Sequence, residues 1–456
     1  MKYPKWFALL LGCSLTAMPG IAIAQPSSPS AKPAAQKPII PLKPNPLNAT
    51  QSISPWTRAT LLKTLSANQA IHAAAISGDG KTLVVGGRGN LQVWNLPSGQ
   101  SKLLIFPEIE KIGLLPLVHS VAISPNGKIL MTATNPSIIS SVEKIDKPGG
   151  CTSNNFGMSC SMGSSSTNRS ISFKPEGAVQ VWDLTTGEQR STLSVGGYEH
   201  QVNFSPKGNM LVDVSSTTVN FWNTSTSKLI PGAPELKRSA SCQQAVAFSP
   251  DSQLVAMPPV EGGQGDVLVA DFRAGQSQVL TIAEAKNSNS KAASADAVLA
   301  AYLASNGGCL SFSPDGKLLA LNLVGNVIVW QRSNGKQLHR LVDEKTISNI
   351  NLRQATKEDI EKYVTESIAR HWKVKQAIAF SPDSRILATS TPDGTIKLWD
   401  SQTGKQIVAL LGHTAIQPKT EFELDDPPTI SLLRFSDDKT LISVGGDGKI
   451  KVWGLP

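Results

Sequence analysis

The chain has no G-x-S-x-G nucleophile elbow and no H-E-x-x-H pair, so neither a hydrolase serine nor a helix-borne zinc signature is present. No basic run exceeds Lys237-Arg238, and no aromatics interleave with basic residues. Nucleic-acid binding needs a concentrated basic footprint, which this leaves out. The formal net charge of +9 does not change that. Two lysines of the first 24 residues and three of the next 31 carry five of those charges, leaving 38 basic against 34 acidic groups, a mildly basic solvated surface. Cysteine is scarce, five in 456 residues, and Cys151 and Cys160 have neither a second Cys pair nor a nearby His to complete a zinc set. The acidic run with Glu421, Glu423, Asp425 and Asp426 lacks the glycine-turned spacing of a calcium loop. Gly86-Gly87-Arg88-Gly89 has no helix behind it and is a hairpin rather than a phosphate cradle. No cofactor is expected, and the reading is of a non-enzymatic protein.

What is present is a repeat. Ala377 to Leu410 divides into four short segments that suit β-strands, with three tight turns between them. In AIAF, Ile378 and Phe380 share one face, as a period of two requires. The turn SPDS has Pro382 to fix φ and Asp383 to bond its own backbone. ILATS, TIKLW and QIVAL follow, separated by PDG and DSQTGK, the latter with Gly404 where φ > 0 is expected. One four-stranded meander buries too little surface to stand alone. Six further copies align with it, their first turns beginning at Ser77, Ser124, Ser205, Ser249, Ser313 and Ser436. The third strands of five copies carry Trp94, Trp182, Trp222, Trp330 and Trp453, and the sixth has Ala270 in that place. With Trp399, six of the nine tryptophans occupy one repeat position.

A period of about 40–45 residues with four strands per unit marks a β-propeller blade. The chain resembles the WD-repeat (WD40) family over residues from about 57 to the end. The expectation is an all-β, seven-bladed propeller of four-stranded antiparallel blades, monomeric, spanning 56–456. The last copy stops after its third strand, and TRATLLKTL (Thr57 to Leu65) reads as the missing fourth, so the resemblance implies a ring closed by both termini. In WD repeats an Asp six residues before the tryptophan belongs to a structural hydrogen-bond network. Here it survives only as Asp393 and Asp447, and only one Gly-His pair, Gly412–His413, is intact.

Residues 1–24 read as a secretory signal peptide: Lys2 and Lys5, an apolar Trp6 to Leu15, and Ala22-Ile23-Ala24 before Gln25. The alternative is a lipoprotein box at Leu10-Leu11-Gly12-Cys13, with membrane attachment only through an acylated Cys13. Either leader exports the protein, to a periplasmic or secreted location or to a lipid anchor. Residues 25–55 are a Pro/Ser-rich disordered linker.

Insertions are unevenly distributed. First-to-second and third-to-fourth turns are short in every copy, whereas 103–118, 135–176, 231–242, 257–265, 281–307, 343–375 and 412–429 all extend the other rim. Short helices are expected within 357–371, with Ile360 and Tyr363 on one stripe, and within 295–304. The 135–176 insertion, without periodicity, is expected to be a loop. Insertions gathered on one rim mark a binding face, with Phe156, Met158, Ile360, Tyr363 and Arg88 as candidate contacts for a protein partner. Cys151 and Cys160 could close a disulfide, while Cys242 and Cys309 could pair or stay as buried thiols. His72, His119 and His200 each stand five residues before a first-turn serine, a weak candidate metal or anion set near the channel mouth. The runner-up function is a propeller enzyme or ligand-binding propeller with its site at that mouth.

Overall fold

The structure is a computed structural model. It describes residues 54–455 except 107–116, 145–150, 162–168, 195–199, 231–245, 258–266, 281–307, 343–375, 415–429 and some shorter stretches of one to four residues. The expected leader, linker and helices, with Cys13, Phe156, Cys242, Ile360 and Tyr363, lie outside the described residues. The chain separates into two compact units, Met1–Ser52 and Ile53–Pro456.

The second unit is a seven-bladed propeller. Seven four-stranded antiparallel sheets have as their innermost strands Ala73–Ile76, Leu117–Ile123, Gln201–Phe204, Ala247–Phe248, Cys309–Phe312, Ile378–Phe380 and Ile430–Asp437, defining blades 1 to 7. Both faces of each blade are covered by its neighbours, so second strands such as Ile386–Ser390 are buried at every position. Alternation sends Leu387 to one side and Ile386 and Ala388 to the other. Among the described residues there are seven buried apolar clusters, and each fills one seam between adjacent blades. The repeated tryptophan always faces the preceding blade. Trp182 enters the seam between blades 1 and 2, and Trp399 that between blades 5 and 6. Where Ala270 replaces it, between blades 3 and 4, Phe221 and Phe248 meet edge to face at 6.4 Å and supply the missing bulk.

Blade 7 is assembled from both ends of the chain. Thr60–Ser66 pairs with Lys449–Gly454, and Leu61 stands opposite Trp453. The pairing removes the open edge that the last blade would otherwise present. A 3-10 turn at Pro55–Arg58 adds a latch. Trp56 is buried, meets Phe435 edge to face at 5.4 Å, and donates its Nε1–H to the Asp438 carbonyl at 3.1 Å.

The first turns share one mechanism. Ser381 Oγ donates to the Asp383 carboxylate (2.6 Å) and accepts from the Ile386 N–H (2.9 Å), and Ser77, Ser124 and Ser313 do the same with Asp79, Asn126 and Asp315. The fourth turn position has positive φ, taken by Gly80, Gly127, Gly208 and Gly316 but by Ser252 (57°) and Ser384 (63°) in two blades. Those serines offset the strain of a left-handed backbone, because each Oγ accepts an N–H from the preceding blade, Lys207 at 3.0 Å and Asp315 at 3.1 Å. Asp438 likewise accepts the Asp383 N–H at 2.8 Å. Gly78 lies so close to blade 2 that a Cβ there would stand 2.9 Å from the Pro125 carbonyl oxygen. Turns that lean on their neighbours in this way have no room to grow, which is a physical reason for their uniform brevity.

The 135–176 insertion departs from expectation. It forms an eighth four-stranded sheet from Ser137–Lys144, Cys151–Asn154, Gly157–Ser161 and Arg169–Lys174. It prolongs the central hairpin of blade 2: Thr134 pairs with Ala178, and Ser137 with Lys174. The signal was present in Ser170-Ile171-Ser172-Phe173, a strict polar–apolar alternation hidden by the surrounding serines.

Replacing Trp56 with Ala should cost about 3–5 kcal/mol in urea unfolding of the full chain. A loss well under 1 kcal/mol would mean that the latch does not hold the closing strand.

Candidate functional site

Two surfaces can carry function, the insertion-bearing rim and the central channel. On the rim, Arg88 is exposed in the second-to-third turn of blade 1 and bridges by its backbone to Leu117 at the start of blade 2. Met158 lies in the strand Gly157–Ser161 of the additional sheet, opposite Ser153. Cys160 stands directly opposite Cys151 in the same hairpin. Directly opposed Cα atoms in antiparallel strands sit about 4.5–5.5 Å apart, inside the span that a disulfide bridges. Cys309 is disulfide-bonded, its partner being outside the described residues.

The three aligned histidines do not form a common site. His72 and His200 are buried and His119 is half-buried. His200 Nδ1 lies 2.8 Å from the carboxylate of Asp213 on the next strand of its own blade, with both side chains fully enclosed. Among the described residues no three His, Cys, Asp or Glu come together as a group that could hold a metal. Asp213 was missed in the sequence because MLVDV reads as a plain apolar strand. It occupies the place where blades 2, 6 and 7 have Thr132, Thr389 and Ser443, each accepting the indole N–H of its blade's tryptophan at 2.9–3.0 Å.

One network is complete. His413 Nδ1 lies 3.0 Å from Asp447, its Nε2 lies 2.8 Å from Ser443 Oγ, and Trp453 donates to that same oxygen at 2.9 Å. A carboxylate against Nδ1 fixes the proton there, which leaves Nε2 to accept from the serine. Burial pushes the Asp447 pKa up, but the hydrogen bond from His413, with the N–H groups of Lys449 and Thr414, holds it below the usual carboxylate value. The network braces the blade that the two termini close.

The channel runs inside the seven innermost strands. A cavity of about 640 Å³ extends to the first-turn rim, where Pro125, Pro206, Pro250, Pro314 and Pro382 edge it. The residue two places before each first-turn serine lines it: Ala75, Ala122, Asn203, Ala247, Ser311, Ala379 and Arg434 for blades 1 to 7. The sequence reading singled out the histidine slot three residues earlier and passed over this one. Aligning the seven first strands on the turn serine exposes it, because one charged residue stands among small neutral ones.

The fold thus defines a closed β-propeller. Three stretches, 59–95, 366–400 and 421–454, match the family model described as WD domain, G-beta repeat. The chain is similar to WD repeat-containing protein 1 of Bos taurus, 31% identical over 90 residues, which is 20% of this chain and 13% of that protein. It is also similar to Protein HIR1 of Yarrowia lipolytica, 29% identical over 206 residues, 43% of this chain and 18% of that one. A third likeness, to apoptotic protease-activating factor 1 of Danio rerio, is 35% identical over 88 residues, 19% of this chain and 6% of that one. The chain therefore spans less than a fifth of the length of these relatives, and the likeness is one of repeat units.

A folded-state pKa below the unfolded one means that Asp447 stabilises fully above the ordinary carboxylate pKa and loses that contribution as pH falls through the folded value. Asp447→Asn should therefore cost about 1–3 kcal/mol at pH 6 to 7, with the gap to wild type closing below about pH 4. Denaturant titrations at both pH values test this, and a gap that stays constant with pH refutes it.

Proposed function

We propose that the protein is a non-enzymatic, exported WD-repeat propeller that binds another protein through its insertion-bearing rim. The observation that carries the reading is the additional sheet 137–174. Blade 2 does not need it to pack, since strands 117–123, 129–135, 178–183 and 189–194 already make a complete four-stranded blade. A folded element grown from a turn on the rim that bears the long insertions is what a contact surface requires. The opposite rim is held short by turn-to-turn packing, so variation can accumulate on one side only. Among the described residues, exposed large apolar residues such as Leu62, Leu103, Leu229 and Val279 are distributed over the outermost strands of different blades.

Export is supported by the leader pattern and by the bonded state of Cys309, because structural disulfides persist in oxidising compartments. In the same compartment the opposed Cys151 and Cys160 would close a second bridge and stiffen the additional sheet. Non-reducing peptide mapping of the exported protein should recover Cys151 and Cys160 in one linked peptide. Two free, alkylatable thiols would remove that bridge from the reading. N-terminal analysis should begin at Gln25; a lipidated Cys13 would favour the anchored form.

The test of function compares the full chain with a variant in which a short Gly/Ser turn joins Asn135 to Ala178. Cross-linking in the envelope of the producing cell should give a stoichiometric protein adduct with the full chain and lose it in the variant, while the melting temperature of the propeller stays within a few degrees. The same adduct at equal yield from both proteins would overturn the proposal.

A further inference from the structure

The channel wall is neutral except at one point. Ala75, Ala122, Ala247 and Ala379 are small, Asn203 on blade 3 and Ser311 on blade 5 are polar but uncharged, and among the described residues no carboxylate lines the cavity. Arg434 of blade 7 is exposed to this lumen while Leu433 and Phe435 on either side of it are buried. The ion pairs among the described residues use Asp183, Asp213, Asp315, Asp383 and Asp447, and Arg434 takes part in none of them. A guanidinium is charged at every physiological pH and presents five donors in a planar fork. No counter-charge faces it among the described residues, and desolvation by the surrounding blades draws its pKa below the ordinary arginine value.

We infer that the channel is a ligand site for a small monocarboxylate with an apolar body, entered from the first-turn rim, with the carboxylate paired to Arg434. The fork of Arg434 matches two carboxylate oxygens at once. One guanidinium on an otherwise neutral wall balances a single negative charge, whereas bare phosphate calls for several donors or cations that this wall does not supply. The cavity of about 640 Å³ lies within the range of small-molecule pockets. Its lining is mixed, the alanine methyls and Ile76 alternating with polar groups such as Asn203 and Ser311, which leaves apolar surface for the rest of an amphipathic ligand, and the rim prolines bring no N–H donors. The site is independent of the insertion rim, so it stands or falls apart from the protein-binding proposal.

Calorimetric titration of the full-length exported protein with sodium octanoate, octan-1-ol and inorganic phosphate tests the inference. Octanoate should bind once per chain, and octan-1-ol and phosphate about tenfold or more weakly. Arg434→Gln should lower octanoate affinity about ten- to a hundredfold, to the level of the alcohol, and leave alcohol binding unchanged. Arg434→Lys should fall between wild type and Arg434→Gln. Without ligand, Arg434→Gln should melt at or above the wild-type temperature, since it removes an uncompensated charge; a residue with a purely structural role would not behave so. Equal affinity for octanoate and octanol, phosphate binding as tight as octanoate, no octanoate binding, or octanoate affinity unaffected by Arg434→Gln would each overturn the assignment. The ligand comparison on wild type stands even if a variant fails to fold.

Discussion

A ring of sheets has to close, and here one antiparallel pairing does it. The strand Thr60–Ser66 runs against Lys449–Gly454, and it completes the blade that walls the closing seam between blades 7 and 1. An isolated blade exposes two apolar faces and two edges, so no blade is stable before its neighbours are present. This accounts for the concentration of supports at blade 7. Trp56 latches the incoming strand, and the His413–Asp447–Ser443–Trp453 network braces the strand with which it pairs. Blades elsewhere manage with less. Trp94 and Trp222 leave their indole N–H groups without a partner.

The same ring divides the molecule into two rims with different rules. On one, seven first turns pack around the channel mouth, six of them clasped by their own serine and several bonded to the next blade. Geometry there permits little length and little variation. The long insertions all fall in the second-to-third turns and inter-blade links of the other rim. Insertions collect where they cost least, so the asymmetry has a packing component as well as a functional one. What packing does not require is a folded sheet of four more strands, and that is why the additional sheet weighs more than loop length in the functional reading.

The channel follows from the repeat as well. Seven strands converge with the same position facing the lumen, so six small residues leave a cavity and the seventh, Arg434, sets its chemistry. A repeat protein can in this way acquire a single asymmetric site from one position of one repeat.

Most of the architecture was legible in the sequence: the period, the turn serines, the tryptophan position and the orphan strand around Leu61 define a closed ring of seven blades. These are local patterns, set by alternation and turn chemistry within some forty residues. Three-dimensional packing decided the rest. Serines obscured the alternation of Arg169–Lys174, which gained significance as a strand only when it met Ser137–Lys144. Asp213 looked like an interruption in an apolar strand until His200 stood 2.8 Å away. Arg434 was one basic residue among many until the ring put it in the lumen. Periodicity tells which face a side chain takes, but not what lies across that face, because that depends on residues a whole blade or a whole circuit away.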